Sequence, residues 1–309
     1  MLDQIQMNLL KEVAELDALP VGAYNIRANG ESAARNTTAN IDIVTKTDKS
    51  GIDIIIKPGT KRESVHIPVV LSETGLKETV YNDFFVGDDC DVTIIAGCGI
   101  HNCGAGDARH DGVHSFFVGK NSKVRYIEKH YGESDGEEGR GKRLMNPTTV
   151  VHLDEGASML METTQIGGID DTLRKTVADL KAGASLVIKD KIMTTGEQRA
   201  MADFSVDMNG DGSSVNLVSR SVAKDHSYQQ LDSRINGNAP CAGHSECDAI
   251  IMDKACVLAS PQLTANDVDA ALIHEAAIGK IAGDQIIKLM TLGLSEKEAE
   301  DQIVNGFLK

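Results

Sequence analysis

The stretch Val118-Gly-Lys-Asn-Ser-Lys-Val124 decides the fold, because its pattern of apolar residue, tight polar turn and apolar residue recurs along the chain. It lines up with Val86-Gly-Asp-Asp-Cys-Asp-Val92 upstream. Downstream it matches Leu153-Asp-Glu-Gly-Ala-Ser-Met159, Leu180-Lys-Ala-Gly-Ala-Ser-Leu186 and, one residue longer, Met208-Asn-Gly-Asp-Gly-Ser-Ser-Val215. Ile251-Met-Asp-Lys-Ala-Cys-Val257 closes the series, and successive copies start 32, 35, 27, 28 and 43 residues apart. Around these turns lie short strand-like runs: 52–56, 92–95, 124–127, 159–162, 186–188 and 215–218. Strand, turn and strand repeated at about 30 residues predict a β-solenoid, in which each coil buries its apolar face only by stacking on the next.

Composition agrees. With 29 Gly, no Trp and 4% aromatic residues, the expected core is made of Val, Ile, Leu and Ala without large rings. A propeller would show blades of about 40 residues with aromatic signatures, and a sandwich would not need a repeated turn. Outside the repeats the text is helical. Leu2, Ile5, Leu9, Val13 and Leu16 recur at helical spacing before Pro20 and Gly22. After Pro261 three helices are predicted, over 266–281, over 283–292, and from the capping box Ser295-Glu-Lys-Glu298 onward. The expected organisation is an N-terminal helix at 1–20, a solenoid core at 21–261 and a C-terminal helical subdomain at 262–309. The Gly/Glu-rich stretch at 132–143 reads as a surface loop.

Lys plus Arg number 31 against 46 Asp plus Glu, a formal charge of −15 that argues against nucleic acid or an anionic membrane as partner. No apolar run approaches the ~20 residues that span a bilayer. The N-terminus lacks the basic start of a signal peptide, and six cysteines fit reduced thiols, so a cytoplasmic location is expected. Nucleotide phosphate loops, dinucleotide fingerprints and His-Glu-x-x-His are missing from the sequence.

Two clusters carry candidate chemistry. Cys241-Ala-Gly-His244-Ser-Glu-Cys247, followed by His274-Glu275, offers soft ligands at i, i+3 and i+6, with Gly243 expected to turn the chain so that they converge. Cys98-Gly-Ile-His101-Asn-Cys103, with His110 and His114 behind it, is either a second metal set or a tight Gly-rich corner. Asp207 to Asp211 lacks the bidentate Glu of a calcium loop and reads as a turn.

From about residue 80 to the end, the sequence closely resembles the SufB/SufD family, the core subunits of the SUF iron–sulfur cluster assembly machine. The resemblance rests on Ser219-Arg-Ser-Val-Ala-Lys224, on Gly237 to Met252, on Leu272-Ile-His-Glu-Ala-Ala-Ile-Gly-Lys280 and on Leu289-Met-Thr-Leu-Gly-Leu294, with Val118-Gly-Lys-Asn121 and Glu128-Lys-His-Tyr-Gly132 in support. It implies a mainly β fold, a right-handed parallel β-helix with a helical C-terminal subdomain. It also implies an assembly scaffold, not an enzyme, holding a transient iron–sulfur cluster and binding no nucleotide itself.

Cys247 is matched by the resemblance to the family's scaffold cysteine, and His274 and Glu275 to residues near a dimer interface. Cys241 and His244 join them as additional candidate ligands by proximity. Cys98, His101 and Cys103 form a weaker second candidate. The implied partners are a SufC-type ABC ATPase docking on the C-terminal helices, a second copy of the chain or a SufD-like paralogue, a sulfur donor such as a cysteine desulfurase system, and apo client proteins. The chain is short, and its N-terminal region is reduced compared with longer SufB proteins. Two alternative readings are a structural adaptor for the ATPase and a β-helix carbohydrate-active enzyme. The second would want aromatic rings along a groove, whereas this sequence has no Trp and five Tyr.

Overall fold

The computed structural model describes residues 2–133 and 139–309. Helix α1 (Gln4–Ala14) opens with a capping box: Asp3 Oδ1 accepts the Gln6 N–H at 2.8 Å, and Gln6 Oε1 accepts the Asp3 N–H at 3.0 Å. The chain then enters a run of strands. The first are β1 (Ala23–Ala28), β2 (Glu31–Asn36), β3 (Ile41–Thr45), β4 (Gly51–Ile56), β5 (Lys61–Leu71), β6 (Lys77–Val86) and β7 (Asp91–His101). Next come β8 (Ala108–Val118), β9 (Lys123–Glu133), β10 (Arg143–Met145), β11 (Thr148–Leu153), β12 (Ser158–Ile166), β13 (Asp171–Leu180) and β14 (Ser185–Thr194). The series ends with β15 (Arg199–Met208), β16 (Ser213–Ala223), β17 (Tyr228–Gly237), β18 (Cys241–Ile251), β19 (Cys256–Ala265) and β20 (Ala271–Gly279), before α2 (Gly283–Met290) and α3 (Glu296–Phe307).

From β5 onward the chain alternates between two sheets, with β10 and β11 sharing one place between β8 and β13, and each strand pairs in parallel with those of the neighbouring coils. One sheet runs β2-β1-β5-β7-β9-β12-β14-β16-β18-β20, and the other β19-β17-β15-β13-β10-β8-β6-β4-β3, with β11 between β13 and β8. This is a parallel β-helix of about 8 turns. Antiparallel pairs, β1 with β2 and β3 with β4, occur only at the N-terminal end of the described strands.

The turns show why the repeat is readable. Asp89, Asn121, Gly156, Gly183 and Gly212 all take left-handed backbone at the corner leading from the second sheet back to the first. Only Gly, Asn and Asp adopt that conformation at low cost. Each corner also stacks on the last, Gly119 N–H donating to Val86 O and Asp154 N–H to Val118 O, at 2.9 and 3.0 Å. Asn209, Asn238 and Asn266 extend the stack as a side-chain ladder, with steps of 2.8 and 2.7 Å. The copy at Ile251 is the exception. It turns from the first sheet to the second, with Asp253 left-handed, and so belongs to the opposite corner. The true sixth copy is Gly237 to Gly243, which restores the step of 43 to about one coil.

Two expectations are corrected. Large rings do enter the core: Phe84, Phe116, Phe204 and Tyr126 are fully buried, and Phe84 stacks on Phe116 at 4.4 Å because parallel register brings them to the same height in adjacent coils. The helix predicted over 266–281 is instead β20, so the solenoid runs to Gly279 and two helices follow, not three. Pairing with β18 over nine residues overrides the helical propensity of the Ala-rich segment. The predicted 132–143 loop lies partly outside the described residues. Of its flanks, Glu133 ends β9, and Gly141 N–H donates to Gly104 O at 2.8 Å.

Helix α1 lies on the outer face of the first sheet, over β5, β7 and β9, burying Leu9, Leu10 and Val13. Gly97 and Gly99 form its seat. A Cβ on Gly97 would stand 2.5 Å from Val13 O, and one on Gly99 3.0 Å from Leu9 Cβ. The glycines beside Cys98 are therefore explained by helix packing. Helix α3 packs Val304 and Leu308 against Val222, whereas α2 buries none of its residues. Among the described residues, no helix is long and apolar enough to cross a membrane.

Candidate metal centre

The predicted ligands between 241 and 247 do not sit on a turn. They lie along β18, a straight strand in which successive side chains face opposite sides. Cys241, Gly243, Ser245 and Cys247 point into the solenoid, and His244 and Glu246 point out. A separation of three thus parts His244 from both cysteines, and six residues set the two thiols about 20 Å apart along the strand. Gly243 makes no turn; its place is a tight inward position where a Cβ would meet Leu272 Cδ2 at 2.8 Å.

β20 pairs in parallel with β18, Ser245 opposite His274, Glu246 opposite Glu275 and Cys247 opposite Ala276. His274 and Glu275 therefore also part. Glu275 joins His244 and Glu246 outside, and one ligand atom from each of the three lies within 4.8 Å of the others. His244 Nδ1 is 2.9 Å from Asn216 Oδ1, which orients the ring and leaves Nε2 3.8 Å from Glu275 Oε2. Two carboxylates directly opposite each other in register repel, and a cation between them and the imidazole relieves that repulsion. One nitrogen and two carboxylate oxygens, with positions left for other ligands, suit a divalent first-row metal. Glu246 was absent from the sequence-level set, although period-two alternation from His244 points to it.

His274 and Cys247 share the interior face near the end of the sheet, about 8 Å apart as diagonal neighbours. The ring nitrogen Nδ1 of His274 is buried without a hydrogen-bond partner. Cys247 is 2% exposed; burial, reinforced by the charges of Asp248 and Asp190, pushes its thiol up to about 11. Cys241 is also buried and its thiol is raised by burial.

The second candidate set parts in the same way. Cys98 faces inward, into a small polar pocket with His110, His114, Glu128 and His130, whereas His101 ends β7 on the outer side. Glu128 Oε1 lies 3.3 Å from His130 Nε2 and 3.8 Å from His114 Nδ1. Burial alone would raise the Glu128 carboxyl, but His130, His114 and Arg174 hold it well below the usual range. Burial brings His114 down to about 4, and pushes the Cys98 thiol far up, together with the charges of Glu78, Glu128 and Asp111.

Comparison with known proteins adds to this geometry. Residues 81–307 match the family model described as SUF system FeS cluster assembly, SufBD core domain. The chain belongs to the SufBD family. Among curated SufBD proteins, an iron–sulfur cluster assembly SufBD family protein of Methanocaldococcus jannaschii is 30% identical over 260 residues, 82% of this chain and 79% of that protein. Another, of Archaeoglobus fulgidus, is 28% identical over 267 residues, 85% of this chain and 69% of its own length. The SufBD core begins within β6, so the helix α1 and the first antiparallel strands precede it.

Proposed function

We propose that the chain is a scaffold for iron–sulfur cluster assembly that takes up iron at His244, Glu246 and Glu275 and completes the site by self-association. The three convergent ligands on the last two strands of one sheet carry this reading. Oxygen and imidazole ligands hold iron more weakly than thiolates, which favours release to apo client proteins over storage. Cys247 and His274, on the inner face at the same end, are the sulfur-side groups. The thiol becomes a thiolate ligand only when the last coil opens to solvent.

Self-association is supported by the open end of the solenoid. β19 and β20 each have one unpaired edge, and Leu258, Ile273 and Ile278 are exposed there. The ATPase partner is assigned to α2, whose Ile287 and Met290, with Leu292 just beyond, are exposed. Substituting Asp at Ile287 and Leu292 is expected to abolish ATPase binding and leave the solenoid folded, since neither side chain is buried.

The deciding experiment is anaerobic titration with iron(II), then sulfide, read by Mössbauer and absorption spectra. Wild type is expected to bind iron, Glu246→Gln/Glu275→Gln to lose it, and Cys247→Ala to bind iron but not build a cluster. A structural adaptor is the competing reading, favoured by the burial of Cys247. Wild type that binds neither iron nor cluster, with the ATPase complex intact, would establish it instead.

A further inference from the structure

At the N-terminal end of the solenoid, strands β1 to β6 surround a cavity of about 280 Å³ that the iron site does not use. It lies largely ahead of the SufBD core, which begins at residue 81. Ile52, Ile67, Val69 and Val80 give the cavity an apolar side, and Arg27, Arg35, Lys46 and Lys49 give it a basic one. Among the described residues, no carboxylate lines it. The whole chain carries a formal charge of −15, so this concentration of cations runs against the protein's overall field.

Two of the four charges are neutralised within the protein. Lys46 Nζ is held between Asp53 and Asp83, the latter at 2.6 Å, with 7% of its side chain exposed. Arg27 Nε donates to Glu78 Oε2, and its Nη2 to Ser50 Oγ, both at 3.1 Å. The other two charges remain. Arg35 donates through Nε to Asn25 Oδ1 at 2.9 Å and through Nη1 to Thr45 Oγ1 at 2.7 Å, both neutral acceptors. Lys49 Nζ stands 4.5 Å from the centroid of the Tyr81 ring. Neither has a carboxylate partner among the described residues. Asn25, also lining the cavity, is 6% exposed, and its Oδ1 accepts from both Ser32 and Arg35. Its amide N–H groups have no acceptor among the described residues.

The loop that brings Lys49 and Ser50 to the cavity is fixed in advance. Lys46 N–H donates to Gly51 O at 3.1 Å, and Tyr81 N–H to Ser50 O at 2.9 Å. Gly51, with φ +144°, lies so close to β6 that a Cβ would stand 1.8 Å from Tyr81 O. Two unpaired cations and a buried amide with free N–H groups are the donors that a doubly charged oxyanion needs.

We propose that the cavity binds a small phosphate monoester, with its phosphate on Arg35, Lys49 and Asn25 and its organic part against Ile52, Ile67, Val69 and Val80. A phosphate ester carries nearly two negative charges at neutral pH and three strong acceptor oxygens, which match two cations and an amide. A single carboxylate supplies only one charge. The volume stands at the lower end of small-molecule sites. It admits a phosphorylated metabolite of a few carbons and excludes a dinucleotide. β5 and β18 are six strand spacings apart in the first sheet, about 29 Å, so this site is independent of the iron centre.

The test is isothermal titration calorimetry of the full chain at low salt with three probes: glycerol 3-phosphate, inorganic phosphate and succinate. Glycerol 3-phosphate is expected to bind at least tenfold more tightly than either of the others, because it alone joins a phosphate to an organic part. Its affinity should fall as sodium chloride is added. Arg35→Gln and Lys49→Gln should each weaken it at least tenfold, as loss of a charged hydrogen-bond partner does. Lys123→Gln, which removes an exposed lysine of β9, should not. Lys49 is itself exposed, so its variant is expected to keep the circular dichroism of the wild type and to decide the matter even where Arg35→Gln unfolds. No heat with any probe, undiminished binding in Lys49→Gln, or equal affinity for succinate or inorganic phosphate would overturn the proposal.

Discussion

Glu246 and Glu275 are held side by side by strand register, and without a cation they repel. Glu246→Gln is therefore expected to act in opposite directions on two observables. The metal-free protein should gain a few tenths of a kcal/mol in a urea melt, while iron(II) affinity falls at least tenfold. A variant that lost stability would mean that Glu246 has a structural partner. His114 sets a second expectation. Its folded value of about 4 lies below the unfolded value of 6.5, so the unfolded chain binds more protons between them. Stability should fall as pH drops from about 6.5 towards 4, by a term on the order of 3 kcal/mol. Equilibrium melts across that window should show a shallower slope in His114→Gln.

At the scale of the element, what was legible in the sequence follows the strength of local constraints. The corners could be read because a left-handed residue must stand at a fixed place in each, and Asp89, Asn121 and Gly156 mark it. β20 could not, because Ala271-Leu-Ile-His-Glu-Ala-Ala-Ile-Gly279 has helical propensity, and only its pairing with β18, 29 residues upstream, makes it a strand. The candidate site was half legible for the same reason. Cys241, His244, Cys247, His274 and Glu275 were all visible as reactive types, but grouping them needs strand parity, which places His244 with Glu246 and Glu275 and turns Cys247 and His274 inward. The glycines flanking Cys98 were ambiguous until α1 was seen resting on them. Gly97→Val should strip the helix from its seat at a cost of about 1–3 kcal/mol, seen as a lower urea midpoint and lost amide protection over 4–14.

Across the whole molecule, the two ends of the solenoid differ. The N-terminal end finishes in antiparallel pairs, with β2 and β3 outermost, whereas the other end finishes in the parallel strands β19 and β20, where Leu258, Ile273 and Ile278 are exposed. Exposed apolar edges invite pairing unless they are blocked. Association should therefore run through β19 and β20. Ile273→Lys/Ile278→Lys is expected to weaken self-association at least tenfold in sedimentation equilibrium, with the circular dichroism of the β-helix unchanged. Wild type that sediments as a monomer at high concentration would remove the dimer from the reading and leave a paralogue as the other half.

The stacked corners have one more consequence. Since every coil leans mainly on its two neighbours, the molecule frays like a zip and not like a ball. The loose tooth is the terminal one, where β20 has a neighbour in its sheet on one side only. Amide exchange should slow step by step from β20 through β18 and β16 towards β9. The sealed Cys247 thiol would then be reached by the opening of a single coil, an event far more frequent than global unfolding and one that a partner docked on that end could suppress or hold open.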